Sequence, residues 1–407
     1  MKYIVFLIDG AADHPIKGLG NKTPLMAAEK PHIDMLAKKG RCGMFKTIPP
    51  NFNTGSAVAN LSVLGYDPLV HFHGRGVLEA ASMGIELDED DVAFRLNTLC
   101  IENNKIKNHS AGHITNKESA ELIRTLDTQL GNDKVKLYPG VSYRHLLVLK
   151  DDYSEQVECC PPHDHPGEPV AKLMVKAKSE RGASTAQILN KLMLDSKPIL
   201  EKHPVNIQRI KEGKDPANMV WPWSPGKKPS MKTFPELYGI KGAVISAVDL
   251  IKGLGIYAGF DVIDVPGATG LHDTNYEGKA DACIEALKDH DLVYVHLEGP
   301  DEAGHEGNAK LKVKTIEDFD KRLLGRVLDN LKEPIRIGLL PDHPTPCELR
   351  IHVAEPIPFL IYDKKVRPDQ VKQYDELSCS KGAYGLLEKD QFIKNLLQKT
   401  TSSRRNE

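Results

Sequence analysis

The 407-residue sequence lacks the features that mark membrane, fibrous or disulfide-stapled proteins. Its first apolar run, Tyr3 to Ile8, is too short for a secretory signal or a membrane-spanning helix. Seven cysteines, an odd number scattered along the chain, do not form a disulfide framework. Lysine plus arginine total 54 and aspartate plus glutamate total 56, so no charge excess favours a nucleic-acid or membrane partner. These absences predict a cytoplasmic globular protein.

Internal repeats, coiled-coil heptads and a G-x-x-x-x-G-K-[ST] phosphate loop are also absent. What the chain has instead is a regular alternation of continuous apolar runs with helix-like segments. The runs are KYIVFLI, GAVISAV, FDVIDV, DLVYVHL and IRIGLL. Continuous apolar runs suit strands that are buried on both faces, and their alternation with helices predicts a doubly wound α/β core sheet.

The middle of the chain has a different pattern, with charged strand-like segments and proline-rich segments. Because a chain of this length exceeds the usual size of one hydrophobic core, we expect two domains. We predict that a smaller α+β domain, residues 86–234, is inserted into the α/β core. The core is then split into residues 1–85 and 235–400. The final residues, TTSSRRNE, are predicted to be disordered.

Acidic and histidine residues recur just past the ends of the predicted core strands. They are Asp9, Asp301, His305, Asp342, His343 and His352. Alone, a D-x-x-x-H pattern or an Asp-His pair is more often a helix cap, a turn or a surface feature. Together they lie at one edge of an α/β sheet, where ligands bind, and so predict a metal site. Mixed oxygen and nitrogen ligands suit manganese or zinc better than calcium or magnesium.

A candidate nucleophile lies in the segment NFNTGSAVANLSVLGYDP. Gly55 and Ser56 precede an apolar helix-like stretch, which places Ser56 at a helix N-terminus. An ordinary N-cap serine has about even odds on this pattern alone. The helix dipole and free N–H groups favour an anion there, however, and a neighbouring metal ion would activate the hydroxyl.

The order of the motifs identifies a family. They are FLIDGAAD, LGYDP, GRGVLEA, DVAFRLN, GHIT, PGVSYRHLLV, PHD, GATGLHDTNYEGK, PDEAGHEG and LLPDHPTP. Over nearly its whole length the sequence resembles the archaeal-type cofactor-independent, or 2,3-bisphosphoglycerate-independent, phosphoglycerate mutases. These enzymes are a branch of the alkaline phosphatase superfamily. The resemblance implies an alkaline-phosphatase-like core sheet, a phosphorylated small-molecule substrate and a phosphoserine intermediate at Ser56.

The resemblance also implies two divalent metal ions, with manganese or zinc favoured over magnesium or cobalt. Position by position, one ion would be held by Asp9, Ser56, Asp342 and His343. The other would be held by Asp301, His305 and His352.

Substrate contacts are implied at a further set of positions, several of them cationic. They are Arg75, His113, Arg144, His145, His163, Asp164, Arg209 and Lys279. An arginine can bind a carboxylate or phosphate through two parallel N–H bonds, although any one of these residues alone is more often a surface charge. The segment CCPPHDHPG fits no structural zinc spacing, so we do not interpret it as a metal site.

One departure from the family pattern leaves the acceptor open. The family commonly has an acidic residue after the serine, whereas this chain has Ala57. A related group with similar motifs suggests an alternative, a homoserine-kinase-like phosphotransferase that uses ATP at the same metal and serine site. A non-enzymatic binding protein is a further alternative, and the complete set of seven metal-site positions argues against it.

Overall fold

The computed structural model describes residues 1–52, 54–331 and 334–398, so the predicted disordered tail lies outside the described residues. The chain divides into two compact units. Unit 1 comprises Met1–Phe72 and Met231–Glu407, and unit 2 comprises His73–Ser230.

The strands of the described chain fall into one large sheet in unit 1 and two smaller sheets in unit 2. In chain order they are β1 (Lys2–Ile8), β2 (Arg41–Lys46), β3 (Val92–Glu102), β4 (Lys105–Asn108), β5 (Val135–Val141), β6 (Arg144–Leu149), β7 (Val157–Glu158), β8 (Lys176–Ala177), β9 (Met219–Lys227), β10 (Gly242–Ile245), β11 (Phe260–Val262), β12 (Leu292–Leu297), β13 (Ile335–Leu340), β14 (Ile357–Asp363) and β15 (Leu386–Glu388).

The helices connect these strands, and none in the described residues is long and apolar enough to cross a membrane. In chain order they are α1 (Pro24–Ala27), α2 (Pro31–Lys39), α3 (Ser56–Val63), α4 (Pro68–His71), α5 (Arg75–Ser82), α6 (Asn116–Leu130), α7 (Ala183–Glu201), α8 (Pro204–Lys211), α9 (Phe234–Tyr238), α10 (Asp249–Tyr257), α11 (Tyr276–Asp289), α12 (Gly299–His305), α13 (Ala309–Asp318), α14 (Gly325–Asn330), α15 (Glu376–Cys379) and α16 (Gln391–Leu397). A π-helical turn, Phe319–Leu324, joins α13 to α14.

Unit 1 is built on a sheet with the strand order β11-β10-β12-β1-β13-β14-β2-β15. The strands from β11 to β13 run parallel, whereas β14 is antiparallel to both β13 and β2. In the central strand β1, Ile4, Phe6 and Ile8 join the main apolar cluster, and Val5 and Leu7 on the opposite face are equally buried. Both faces of β1 are therefore covered, and the predicted α/β core is confirmed.

Unit 2 is an α+β unit around an antiparallel sheet with the order β4-β3-β6-β5, in which β9 pairs with the long strand β3. Helices α6 and α7 pack on this sheet, with Leu122, Leu126, Leu189 and Met193 in its apolar cluster. Helix α6 begins with a capping box between Thr115 and Glu118, as the sequence TNKES indicates.

Unit 2 begins at residue 73, earlier than the expected boundary at residue 86, and it ends at residue 230. The difference comes from α5, which packs against β3 and β9. Gly76 allows this close contact, because a Cβ there would lie 2.6 Å from the carbonyl oxygen of Ala93. The GRGVLEA motif therefore belongs to unit 2.

Candidate metal centre and substrate surface

The predicted metal ligands of unit 1 lie at the carboxyl ends of three adjacent parallel strands. Asp9 follows β1, Asp301 lies in α12 directly after β12, and Asp342 follows β13. Strand β1 pairs with β12 on one side and with β13 on the other. The sheet order therefore brings together three carboxylates that are far apart in the sequence, as the strand-end argument predicts.

One group of ligand-type atoms surrounds Asp301. His305 Nε2 lies 3.2 Å from Asp301 Oδ2 and 2.9 Å from His352 Nε2. His352 Nε2 lies 3.5 Å from Asp301 Oδ1, and Thr345 donates its hydroxyl hydrogen to the same oxygen. The hydrogen bond with Asp301 raises the pKa of His305 to about 9. Two imidazole nitrogens and a carboxylate thus converge on one point.

A second group surrounds His343, which is fully buried. Its Nε2 lies 3.4 Å from Asp342 Oδ2, 3.6 Å from Asp9 Oδ1 and 3.2 Å from Ser56 Oγ. Burial and the neighbouring carboxylate of Asp342 raise the pKa of Asp9 well above its usual range. A buried cluster of carboxylates of this kind is stabilised when a cation binds to it.

The two groups share a residue. His343 can join Asp301 and His352 around one ion, or Asp9 and Asp342 around another, with the ligand atoms of each set within 4.8 Å of one another. The sequence assigned His343 to the second set alone. Its position between the sets makes it the point at which the two predicted ion sites meet.

Two observations indicate that the residues of these groups suit divalent metal ions. Asp9 Oδ1 is buried and has no hydrogen-bond partner among the described residues, which is costly unless a cation binds there. The Nε2 atoms of His305 and His352 also lie 2.9 Å apart, close enough for both to bind one ion. The mixed carboxylate and imidazole set suits manganese or zinc.

Ser56 is the first residue of α3, as predicted. Gly55 precedes it with φ at 154°, and Val58 and Ala59 donate their N–H groups to the Gly55 carbonyl. Every residue of α3 after Ser56 is buried, which holds the helix start in place. The serine hydroxyl therefore lies beside His343 at the positive end of a helix dipole.

Asn60, one turn further along α3, supports the same centre. Its side-chain Nδ2 donates to Asp342 Oδ2 at 3.0 Å and to the Ser56 carbonyl at 2.8 Å. Tyr294 of β12 donates its hydroxyl hydrogen to Asn60 Oδ1. Asn60 therefore connects the helix that begins with the predicted nucleophile to a predicted metal ligand, a contact that its position after Ala57 does not reveal in the sequence.

His296 and Glu298 were missed by the sequence analysis. With Asp9 they form a third group of close ligand-type atoms. Burial and the nearby Asp301 carboxylate raise the pKa of Glu298 to about 8. The sequence signal was a histidine inside the apolar run DLVYVHL and a glutamate directly after it.

Unit 2 carries a continuous strip of aromatic and basic side chains. The Arg95 guanidinium lies 5.0 Å above the ring of Trp223, and His163 packs edge-to-face against the same ring with the ring centroids 5.3 Å apart. His109 lies 6.1 Å from His163 and 5.6 Å from Tyr143. Of these five residues the sequence analysis named only His163.

Four other predicted substrate residues lie along this strip. Arg144 lies 5.5 Å from the Tyr143 ring, His113 lies 6.5 Å from the same ring, and Asp164 is 3.6 Å from His163. Burial, together with the positive charge of Arg95, lowers the pKa of Arg75. Arg95 Nε lies 3.0 Å from Glu79 Oε1, so the Glu79 carboxylate offsets part of the positive charge of these two guanidinium groups.

The remaining three predicted substrate residues are bonded inside the protein. Both ring nitrogens of His145 are occupied, with Gly140 N at 3.1 Å and Thr98 Oγ1 at 3.2 Å, and burial lowers the pKa of this residue to about 3. Lys279 of unit 1 donates from Nζ to the His296 carbonyl at 2.8 Å, and burial lowers its pKa to about 8. These contacts favour supporting roles over direct substrate binding.

Arg209 is likewise buried. Its Nη1 donates to both carboxylate oxygens of Glu118 at 3.0 Å, and Nη2 and Nε donate to the carbonyls of Ala111 and Asp215. Its guanidinium group therefore joins α8 to the start of α6 and to the GHIT loop.

We expect Arg209→Gln to lower the free energy of unfolding of unit 2 by about 2–3 kcal/mol, because the Glu118 carboxylate loses its charged partner. Both tryptophans of the chain, Trp221 and Trp223, lie in unit 2, so urea unfolding followed by their fluorescence measures this change. The exposed Arg124→Gln, on α6, is the control. Unchanged stability with a raised KM would show instead that Arg209 binds substrate directly.

The fold and the site define an α/β protein with groups of carboxylate and imidazole atoms that could hold metal ions at its parallel strand ends. A family model described as 2,3-bisphosphoglycerate-independent phosphoglycerate mutase matches residues 37–206. A curated protein of that name from Methanosarcina acetivorans is 51% identical over 402 residues, covering 98% of this chain and 100% of the relative. The chain therefore belongs to the 2,3-bisphosphoglycerate-independent phosphoglycerate mutase family, which confirms the resemblance that the motifs indicated.

Solved structures agree with this assignment. A protein from Pyrococcus horikoshii is 32% identical with a TM-score of 0.84, over 97% of this chain and 96% of that one. The cofactor-independent phosphoglycerate mutase of Thermoplasma acidophilum is 30% identical with a TM-score of 0.69, over 98% and 99% of the two chains.

Proposed function

We propose that this chain interconverts 2- and 3-phosphoglycerate without an added cofactor, through a phosphoserine at Ser56. The observation that carries the proposal is the 3.2 Å distance between Ser56 Oγ and His343 Nε2, within a group of buried ligand-type atoms at a helix start. The family to which the chain belongs supports the choice of substrate.

Two divalent ions, manganese or zinc before magnesium or cobalt, would be held by the two groups that share His343. When bound, they would withdraw charge from the phosphoryl oxygens and lower the pKa of the serine hydroxyl. Asp9, Asp342 and His343 would lie around Ser56, and Asp301, His305 and His352 would form the other set together with the shared His343. The orphaned oxygen of Asp9 and the close pair of histidine nitrogens support this division.

Ser56 is proposed as the phosphoryl carrier. A bond forms between Ser56 Oγ and phosphorus while the bond from phosphorus to the substrate oxygen breaks. The hydrogen of the serine hydroxyl ends on the glycerate oxygen that leaves. Glycerate then turns, and its other hydroxyl takes the phosphoryl group back from Ser56, so the serine regains its hydrogen. The start of α3 would support the negative charge throughout.

Glycerate binding is proposed for the strip in unit 2. Arg75 would bind the carboxylate, since arginine can bind it through paired N–H bonds, and Arg95, whose Nε lies 3.0 Å from Glu79 Oε1, would lie beside it. The aromatic and histidine rings beside them would cover the small carbon skeleton and exclude water, which would otherwise take the phosphoryl group. A substrate of this kind is consistent with a cytoplasmic location, which remains a prediction.

Phosphorus NMR tests the proposed reaction directly. With Mn²⁺ and 3-phosphoglycerate alone, we expect the 2-phosphoglycerate signal to grow to equilibrium without nucleotide, because the phosphoryl group stays within one substrate. A sample treated with chelator is the control and should show no new signal. No 2-phosphoglycerate, together with ATP consumption stoichiometric with added homoserine, would favour the kinase alternative instead.

A further inference from the structure

We propose that His296 is a positioning residue, which turns the Asp9 carboxylate so that one oxygen is reserved for the metal centre. Asp9 is the proposed ligand, and His296 acts through it. The inference rests on the metal centre of the proposed function and adds to it a part that no predicted ligand set contains.

His296 connects three neighbouring strands of the sheet. It lies in β12, where it is paired with Leu7 of β1, and its Nε2 is 2.9 Å from Asp9 Oδ2 just beyond β1. On the other side, its Nδ1 is 3.1 Å from the hydroxyl of Ser246, directly after β10. His296 and Asp9 are fully buried, so water does not compete for these contacts.

The contacts determine which nitrogen carries the hydrogen. An ionised carboxylate can only accept, so when Asp9 is in the form that binds a cation, Nε2 of His296 donates to Asp9 Oδ2. Ser246 Oγ already accepts the N–H of Val248 at 3.0 Å, which leaves its own hydrogen free to donate to Nδ1. The chain from Ser246 through His296 to Asp9 is therefore satisfied with a neutral ring.

The two oxygens of Asp9 consequently have different roles. Oδ2 is bound by His296, whereas the buried Oδ1 has no hydrogen-bond partner among the described residues and lies 3.6 Å from His343 Nε2. A free carboxylate could rotate and exchange its oxygens. The bond from His296 prevents this rotation and directs Oδ1 toward the centre, as outer hydrogen bonds do for metal ligands elsewhere.

The backbone of His296 is held as well. Lys279 of α11 donates to its carbonyl oxygen at 2.8 Å, from a position that is almost fully buried. Lys279 was predicted from the sequence to bind substrate, and this contact gives it a structural role next to the metal centre. Glu298 Oε2 lies 3.4 Å from His296 Nε2 and is the competing acceptor for the same hydrogen.

The test is Mn²⁺ titration calorimetry on the full chain after chelation. We expect His296→Leu, which removes the donor, to weaken the affinity for one of the bound ions about 10- to 100-fold. His296→Gln, whose amide can donate in the same direction, should restore most of that loss. Ser246→Ala should give a smaller loss of the same kind. His290→Leu is the matched control, because His290 makes a similar 2.9 Å contact with Asp261 outside the centre.

Each outcome decides the question. Wild-type affinity in both His296→Leu and Ser246→Ala would overturn the proposal, and the Gln and Ala variants keep it testable if the Leu variant fails to fold. A third ion in the wild type that is lost in both His296→Leu and Glu298→Gln would overturn it too, since His296 would then be a ligand itself. Failure of the proposed reaction would appear separately, as wild-type Mn²⁺ binding without 2-phosphoglycerate formation.

Discussion

Ser56→Ala is expected to lower the rate of phosphoryl transfer at least about 1,000-fold, because Ser56 is the proposed carrier of the phosphoryl group between the two hydroxyls. The side chain is small and lies at the start of α3, so the fold should change little. Steady-state rates with 3-phosphoglycerate, and the thermal melting temperature of both proteins, measure the two halves of this prediction.

Ser62→Ala is the matched control, since it makes the same chemical change later in the same buried helix. It should retain most of the activity. If Ser56→Ala kept more than a few per cent of the wild-type rate, another group would be the nucleophile, and the proposed role of α3 would be wrong.

The second large effect is expected at the residue that the two metal sets share. His343→Asn should weaken the binding of both ions and abolish turnover, because His343 belongs to both groups of ligand atoms. His352→Asn should remove one ion and leave the other, because it belongs to one group only. Elemental analysis after reloading with Mn²⁺ should give about two ions per chain for the wild type.

The exposed His14→Asn provides the control for this series, since His14 pairs with Glu355 at the surface of unit 1. It should bind metal like the wild type. Equal loss of ions in His343→Asn and His352→Asn would show that His343 is not shared. Full activity in the presence of chelator would contradict the metal-dependent mechanism altogether.

The helices and strands that could be predicted from the sequence are those whose pattern lies within a few consecutive residues. A few consecutive residues are enough to predict strand β1 from its apolar run and the helix from Pro31 to Lys39 from its periodicity. The structure has both elements. The antiparallel strands β14 and β2 were missed because strand direction depends on distant partners, which no local pattern encodes. Helix α7 was missed as well, since Pro198 lies inside it and argues locally against a helix.

The candidate site divides in the same way. Residues that follow strands, such as Asp9 and Asp342, could be predicted because the strand end itself supplies the argument. His296 and Arg95 lie inside strands, where a polar residue looks like an ordinary interruption of an apolar run. Arg209 and Lys279 were predicted from their charge to bind substrate, and the structure adds a partner within the protein for each.

The central claim is that the phosphoryl group passes through Ser56, and rapid-quench mass spectrometry tests it most directly. Enzyme loaded with Mn²⁺ is mixed with 3-phosphoglycerate, quenched in acid within the first turnover and digested. We predict a phosphate on the peptide that contains Ser56, absent from Ser56→Ala and absent without metal. Wild-type turnover to 2-phosphoglycerate with no phosphate on that peptide at any quench time, or with the phosphate on another residue, would contradict the account.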